Sequence, residues 1–148
     1  MPRKNLIDAG PIVSFLTDEA HHDWAAEQFS RFESFETCEA ALSEACARLA
    51  YAGYDQTAVI RLVDEGVLRL TFDTACNIGR ILGLMEKYRD LPMDFADACL
   101  VTMSEEEKDS QVVTLDKKDF SIYRRYGRQA VPILGNNILD ATYNLCEI

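Results

Sequence analysis

Four acidic residues, Asp8, Glu44, Asp97 and Asp116, stand where this chain could do chemistry. Asp8 closes the short apolar run Leu6-Ile7, and Asp116 closes Gln111-Val112-Val113-Thr114-Leu115, whose β-branched content and brevity suit a buried parallel strand. In open α/β sheets ligands bind beyond the carboxyl ends of the strands, which is where these two aspartates are predicted to meet. Glu44 lies in an otherwise apolar helical stretch, and Asp97 lies between Ala96 and Ala98 in the helix just before the Asp116 strand. At about 5 Å separation and an effective dielectric near 20, each ionised pair repels by roughly 3 kcal/mol, so a converging quartet calls for a cation. Carboxylate oxygens without thiolate or imidazole partners favour Mg²⁺ or Mn²⁺ over Zn²⁺, and the only histidines, His21 and His22, lie outside the acidic segments. One or two such ions suit phosphodiester hydrolysis, because a metal activates water and neutralises charge developing on phosphate oxygens.

The elements that must position these acids read as an alternation of short apolar runs and helical patterns. Gly10-Pro11 opens a helix after the first strand, and the spacing of Trp24, Ala25, Phe29 and Phe32 gives one buried stripe on a helix over 21–32. Phe35 to Cys38 reads as a strand, followed by a helix from Glu39 that stops near Gly53. An amphipathic helix around Ala58 to Val63 leads into a strand over Val67 to Phe72, and a further helix fits Thr74 to Tyr88. The helix carrying Phe95 to Met103 ends in Glu105-Glu106-Glu107, read as a solvated face, and Val131 to Leu134 reads as a final edge strand where a proline is tolerated. The expected architecture is a single α/β domain over 1–148 with a central, mainly parallel sheet, and residues 135–148 as a tail.

Composition fits this reading. With 48% hydrophobic and 27% charged residues, 148 residues suffice for one core without disulfides or a structural metal. The net charge of -10 excludes nucleic-acid binding driven by overall basicity. Charge is nevertheless segregated, residues 117–128 carrying a net +4 and the rest -14. Lys117, Lys118, Arg124 and Arg125 are therefore expected to guide an RNA backbone toward Asp116, with Tyr123 or Tyr126 stacking on a base. The five cysteines, Cys38, Cys46, Cys76, Cys99 and Cys146, are odd in number and form no C-x-x-C, which points to reduced thiols and a cytoplasmic setting. Asp8 and Pro11 interrupt the apolar stretch near the start, against a secretory signal, and no run of roughly 20 apolar residues exists to span a membrane.

The segments Leu6-Ile7-Asp8-Ala9-Gly10-Pro11, Ala41-Leu42-Ser43-Glu44-Ala45, Asp94-Phe95-Ala96-Asp97-Ala98 and Val113-Thr114-Leu115-Asp116-Lys117-Lys118-Asp119-Phe120 resemble, in order and spacing, the PIN-domain nucleases, most closely the VapC-type toxin ribonucleases of toxin–antitoxin pairs. That resemblance covers nearly the whole chain. It implies that Asp8, Glu44, Asp97 and Asp116 form an acidic quartet that binds divalent metal and supports RNA cleavage, that Thr114 is a hydroxyl residue near the site, and that a homodimer and a cognate antitoxin exist. Ala9-Gly10 departs from the pattern, since a hydroxyl or amide residue commonly follows the first aspartate.

Several residues also have plainer readings. Asp94 stands where a helix N-cap belongs, and is otherwise an accessory ligand. Glu44 has Arg48 at i,i+4, Asp119 suits capping or solvating the next helix, and Trp24, Phe29 and Phe32 suit core or dimer contacts. Two other functions stay open: a PIN-like module that binds RNA or protein without cutting, and an aspartate-based phosphotransfer domain, against which Asp8-Ala9-Gly10 lacks a D-x-D pair.

Overall fold

Alternate residues of the central strands face opposite sides of one sheet, and both sides are covered by helices. The computed structural model describes residues 3–137. Strands β1 (Lys4–Ile7), β2 (Phe35–Thr37), β3 (Leu68–Leu70), β4 (Ser110–Val113) and β7 (Ile133–Leu134) form a five-stranded sheet in the order β3-β2-β1-β4-β7. Every pairing in it is parallel, with Leu6 opposite Glu36, Ile7 opposite Val113 and Val113 opposite Leu134. Burial on both faces explains why β1 and β4 read as apolar runs and not as alternating amphipathic strands.

Leu6 and Val112 point into one core layer with Ile81 and Leu84 of α5 (Ile78–Lys87) and Leu100 and Val101 of α6 (Phe95–Glu106). Ile7 and Val113 point into the other, against Ile12 and Val13 of α1 (Ala9–Leu16), Ala45 and Leu49 of α3 (Glu39–Tyr51) and Val59 of α4 (Thr57–Asp64). Helix α2 (His22–Arg31) packs on α1, where Phe15 and Phe29 stack with centroids 4.0 Å apart. Trp24, Phe29 and Phe32 are partly buried against this second layer, as their helical stripe predicts. Helix α6 runs through the protein with Ala96 to Ser104 all buried, which is why its sequence shows no single apolar stripe.

The remaining elements differ from expectation in instructive ways. The predicted strand over 67–72 shortens to Leu68–Leu70, and the helix over 74–88 begins as a 3₁₀ turn at Ala75–Asn77. After the six-residue α7 (Lys117–Ile122), the basic segment forms a small antiparallel hairpin of β5 (Arg124–Arg125) and β6 (Gln129–Ala130). Its turn places Tyr126 and Gly127 at φ 54° and 79°, the left-handed pair that tight hairpin turns demand. Glu105 is not part of a solvated acidic face. Arg80 grips it through two nitrogens at 2.8 and 2.7 Å, and the Tyr126 N–H donates to it at 2.6 Å. Cys38, Cys46, Cys76 and Cys99 are free thiols, but Cys76 is exposed and donates to Asp73 instead of packing in the core. Cys146 and nearly all of the tail over 135–148 lie outside the described residues. Among the described residues no helix is long and apolar enough to cross a membrane.

Candidate metal centre

Strand order reverses between β1 and β4: the chain proceeds outward from β1 to β2 and β3, then returns to place β4 on β1's other side. The carboxyl ends of these two neighbours therefore diverge into a crevice, the position where open parallel sheets bind ligands. Asp8 leaves β1 there as the N-cap of α1, and Thr114 to Asp116 leave β4 beside it.

A cavity of about 310 Å³ opens at this point, lined by Asp8, Gly10, Glu44, Arg48, Asp94, Asp97, Leu115 and Asp116. All four acids of the predicted quartet share it, although they come from four separate segments. Asp97 belongs to the first turn of α6 and is brought in by the cap at Asp94, whose Oδ1 accepts the Asp97 N–H at 2.8 Å. The N-cap reading of Asp94 therefore holds, and its exposed carboxylate also faces the cavity. Asp116 caps α7 by accepting the Asp119 N–H at 3.2 Å. Asp119 is thus the third helical residue and not the cap. One oxygen each of Asp97, Asp116 and Asp119 lies within 4.8 Å of the others, a span that a single cation bridges.

Hydrogen bonds hold the carboxylates in place. Thr114 Oγ1 donates to Asp8 Oδ2 at 3.0 Å and accepts the Asp116 N–H at 2.9 Å, so one hydroxyl orients both aspartates. The Ala9 N–H donates to Asp8 Oδ1 at 2.8 Å. Tyr123 Oη donates to Asp97 Oδ2 at 2.8 Å. Tyr123 is fully buried, between Tyr88 and Phe120, which corrects the expectation that it stacks on a nucleobase. Its role is second-hand, through Asp97.

The electrostatics are those of a site short of positive charge. Burial, moderated by bonds from Ala9 and Thr114, pushes Asp8 up to about 6. Burial, then the neighbouring charges of Asp8 and Asp94, push Asp97 up to about 8 against the opposing bond from Tyr123. Glu44 is raised by burial and then by Asp94, while the nearby Arg48 acts the other way. Asp116 is raised chiefly by burial. Hard oxygen donors held at fixed positions, with their ionised forms disfavoured only by burial and each other, fit a divalent cation.

The basic segment behaves less uniformly than its charge suggests. Lys118 is exposed, and Lys117 Nζ bonds Asn137 Oδ1 at 2.7 Å. Arg124 turns back on α7, donating to the carbonyls of Ser121 and Tyr123. Arg125 is 7% exposed, and its Nη1 donates to the carbonyls of Ser104 and Lys108 at 3.0 Å each. As placed, Arg125 ties the hairpin to the end of α6 and presents no charge to a ligand, a correction to its expected place in RNA binding. Sequence reasoning also undervalued Arg48 and Asp119. The signals were present as Glu44-x-x-x-Arg48 on one helical face and Asp116-x-x-Asp119 across a first turn, yet both patterns equally describe ordinary helix ion pairs and caps.

A family model for the PIN domain matches residues 6–126. The chain belongs to the PIN domain family. The match runs from β1 into the hairpin turn and takes in every acid lining the cavity. PIN domains are generally nucleases that use divalent metal, and the converging carboxylates fit that class. No curated protein matched the chain.

Proposed function

We propose that this PIN protein is an endoribonuclease dependent on Mg²⁺ or Mn²⁺, and that it is the VapC-type toxin of a toxin–antitoxin pair. The observation that carries the catalytic reading is the convergence of Asp8, Glu44, Asp97 and Asp116 on one cavity. Asp97, Asp116 and Asp119, whose oxygens lie within one cation's reach, would hold it, with Asp8 and Glu44 lining the same cavity. A bound divalent ion supplies charge neutralisation at the scissile phosphate and lowers the pKa of the attacking water.

The protein's own groups do the rest. Thr114 and Tyr123 donate to Asp8 and Asp97 and so hold the orientation of both carboxylates. Arg48 is the cation lining that cavity and is suited to orient a phosphate oxygen. Burial and then Asp94 raise the proton affinity of Glu44, which suits it to accept a proton from the attacking water. Lys118 and Arg128, exposed in the segment that follows Asp116, would track the RNA backbone. The toxin role, the homodimer and an antitoxin that covers the cleft rest on the resemblance of the four acidic segments, and the cytoplasmic setting rests on the cysteine pattern.

A second reading is a PIN module that binds RNA without cutting it. It is favoured by Gly10, which lines the cavity but brings no side-chain donor to it. Incubation of purified protein with labelled single-stranded and hairpin RNA separates the two. Cleavage with Mn²⁺ is expected, and its loss in excess EDTA and in Asp8→Asn and Asp97→Asn. Cleavage that persists in EDTA rejects the metal-dependent mechanism, and retention of RNA without cleavage supports the binding module.

A further inference from the structure

Beside the acidic cavity lies a second one, of about 470 Å³, lined by Glu39, Ala40, Ser43, Glu44, Asp94, Phe95 and Ala96. The two share Glu44 and Asp94 and so adjoin. The lining of the second is mainly apolar, and its largest apolar group is the Phe95 ring, which is 44% exposed. That exposure is out of keeping with its helix, because the nine residues that follow Phe95 in α6 are all buried.

From this juxtaposition we propose that Phe95 forms the floor of a nucleobase subsite, on which an unpaired base flanking the scissile phosphate stacks. The inference rests on the ribonuclease reading and adds to it a residue that holds a base beside the scissile phosphate. A base held in a duplex is already stacked on both faces and cannot lie against Phe95, whereas an unstacked base presents its π-face to an aromatic ring. The acidic rim decides which part of the nucleotide enters. Glu39, Glu44 and Asp94 repel a phosphate but accept hydrogen bonds from the N–H edge of a base, most readily from guanine, adenine or cytosine with their amino groups. Adjacency to the metal-ligating acids gives the subsite its place in the reaction, since the phosphate held there carries the base on its own nucleotide.

The test uses a single-stranded oligoribonucleotide carrying one 2-aminopurine, whose fluorescence is quenched on stacking, and the full-length protein as wild type, Phe95→Ala and Phe95→Trp. Quenching is expected with wild type and Phe95→Trp. With Phe95→Ala the quench is lost and the dissociation constant rises about 5- to 150-fold, the range for loss of one base–aromatic stack. A matched duplex shows no dependence on residue 95. Equal quenching and affinity in wild type and Phe95→Ala overturns the subsite, as does a change in sedimentation coefficient with no change in RNA binding, which would make Phe95 a protein contact. Cleavage of the same oligonucleotide with Mn²⁺ is scored separately. If wild type binds and quenches but never cuts, the ribonuclease reading fails while the base subsite stands. If wild type cuts and Phe95→Ala cuts and binds equally well, the subsite alone fails.

Discussion

Asp97 is opposed in its ionisation by burial and then by the charges of Asp8 and Asp94, and its favourable bond from Tyr123 does not offset them. A carboxyl at about 8 in the fold, against an ordinary value near 4, means that the folded state keeps a proton the unfolded chain has released. Metal-free protein therefore loses stability as pH rises from about 4 to about 8 through Asp97, with Asp8 contributing between about 4 and 6. A divalent ion binds the ionised forms, so the difference in Tm between Mn²⁺-loaded and EDTA-treated protein should be larger at pH 8 than at pH 5. Comparing the two states at each pH cancels whatever they share; a difference that shrinks with rising pH would refute the metal assignment. Tyr123→Phe tests the bond to Asp97 in isolation. Loss of such an orienting partner costs about 10- to 100-fold in metal affinity, readable by titration calorimetry, while the buried ring keeps its packing. The acids themselves were legible in the sequence because four of them interrupt apolar segments. The groups that orient them were less so: Tyr123 and Asp97 are 26 residues apart, and only the fold brings the hydroxyl to the carboxylate.

At the scale of elements, the site depends on α6 being held at both ends. Asp94 caps its first turn inside the cavity, and at the far end Arg125 bonds the Ser104 and Lys108 carbonyls while Arg80 and the Tyr126 N–H hold Glu105. Arg125→Ala removes two charge-assisted bonds and leaves the buried Ser104 carbonyl without its partner, a loss of about 2–3 kcal/mol in urea unfolding. Lys118→Ala should leave stability within about 0.5 kcal/mol and weaken RNA binding instead. The reverse outcome, a stable Arg125→Ala protein with impaired RNA binding, would return Arg125 to the role its sequence position first suggested. Both central strands were readable, since burial on two faces makes β1 and β4 continuous apolar runs. The hairpin was not. Its strands are two residues each, too short for any periodicity, and Arg124-Arg125-Tyr126-Gly127-Arg128 shows its turn only in Gly127, because Tyr126 adopts positive φ without being the residue type that announces it.

The whole molecule carries -10, and the acid-lined cavity is where, on the ribonuclease reading, a polyanion would have to arrive. A basic surface cannot solve this alone. Of the cations in the +4 segment, Arg125 is buried, Arg124 is largely committed to α7 and Lys117 bonds Asn137, leaving Lys118 and Arg128 to meet phosphates, with Arg48 in the cavity itself. Three contacts to a single strand give a slope of log K against log salt of about -2, at roughly 0.7 per phosphate neutralised, far shallower than for proteins that bind nucleic acid through broad basic faces. The remaining attraction has to come from the cation among the carboxylates. Affinity for a single-stranded oligoribonucleotide should therefore depend steeply on Mg²⁺ or Mn²⁺ and only weakly on KCl, measured by fluorescence anisotropy over 50–300 mM salt with and without EDTA. Tight, strongly salt-dependent binding in EDTA would mean that a basic face carries the RNA and that the acids serve something other than its recruitment. The family's fold places the carboxylates, but on a chain this acidic an ion held among them would be what turns a repelling cavity into a receiving one.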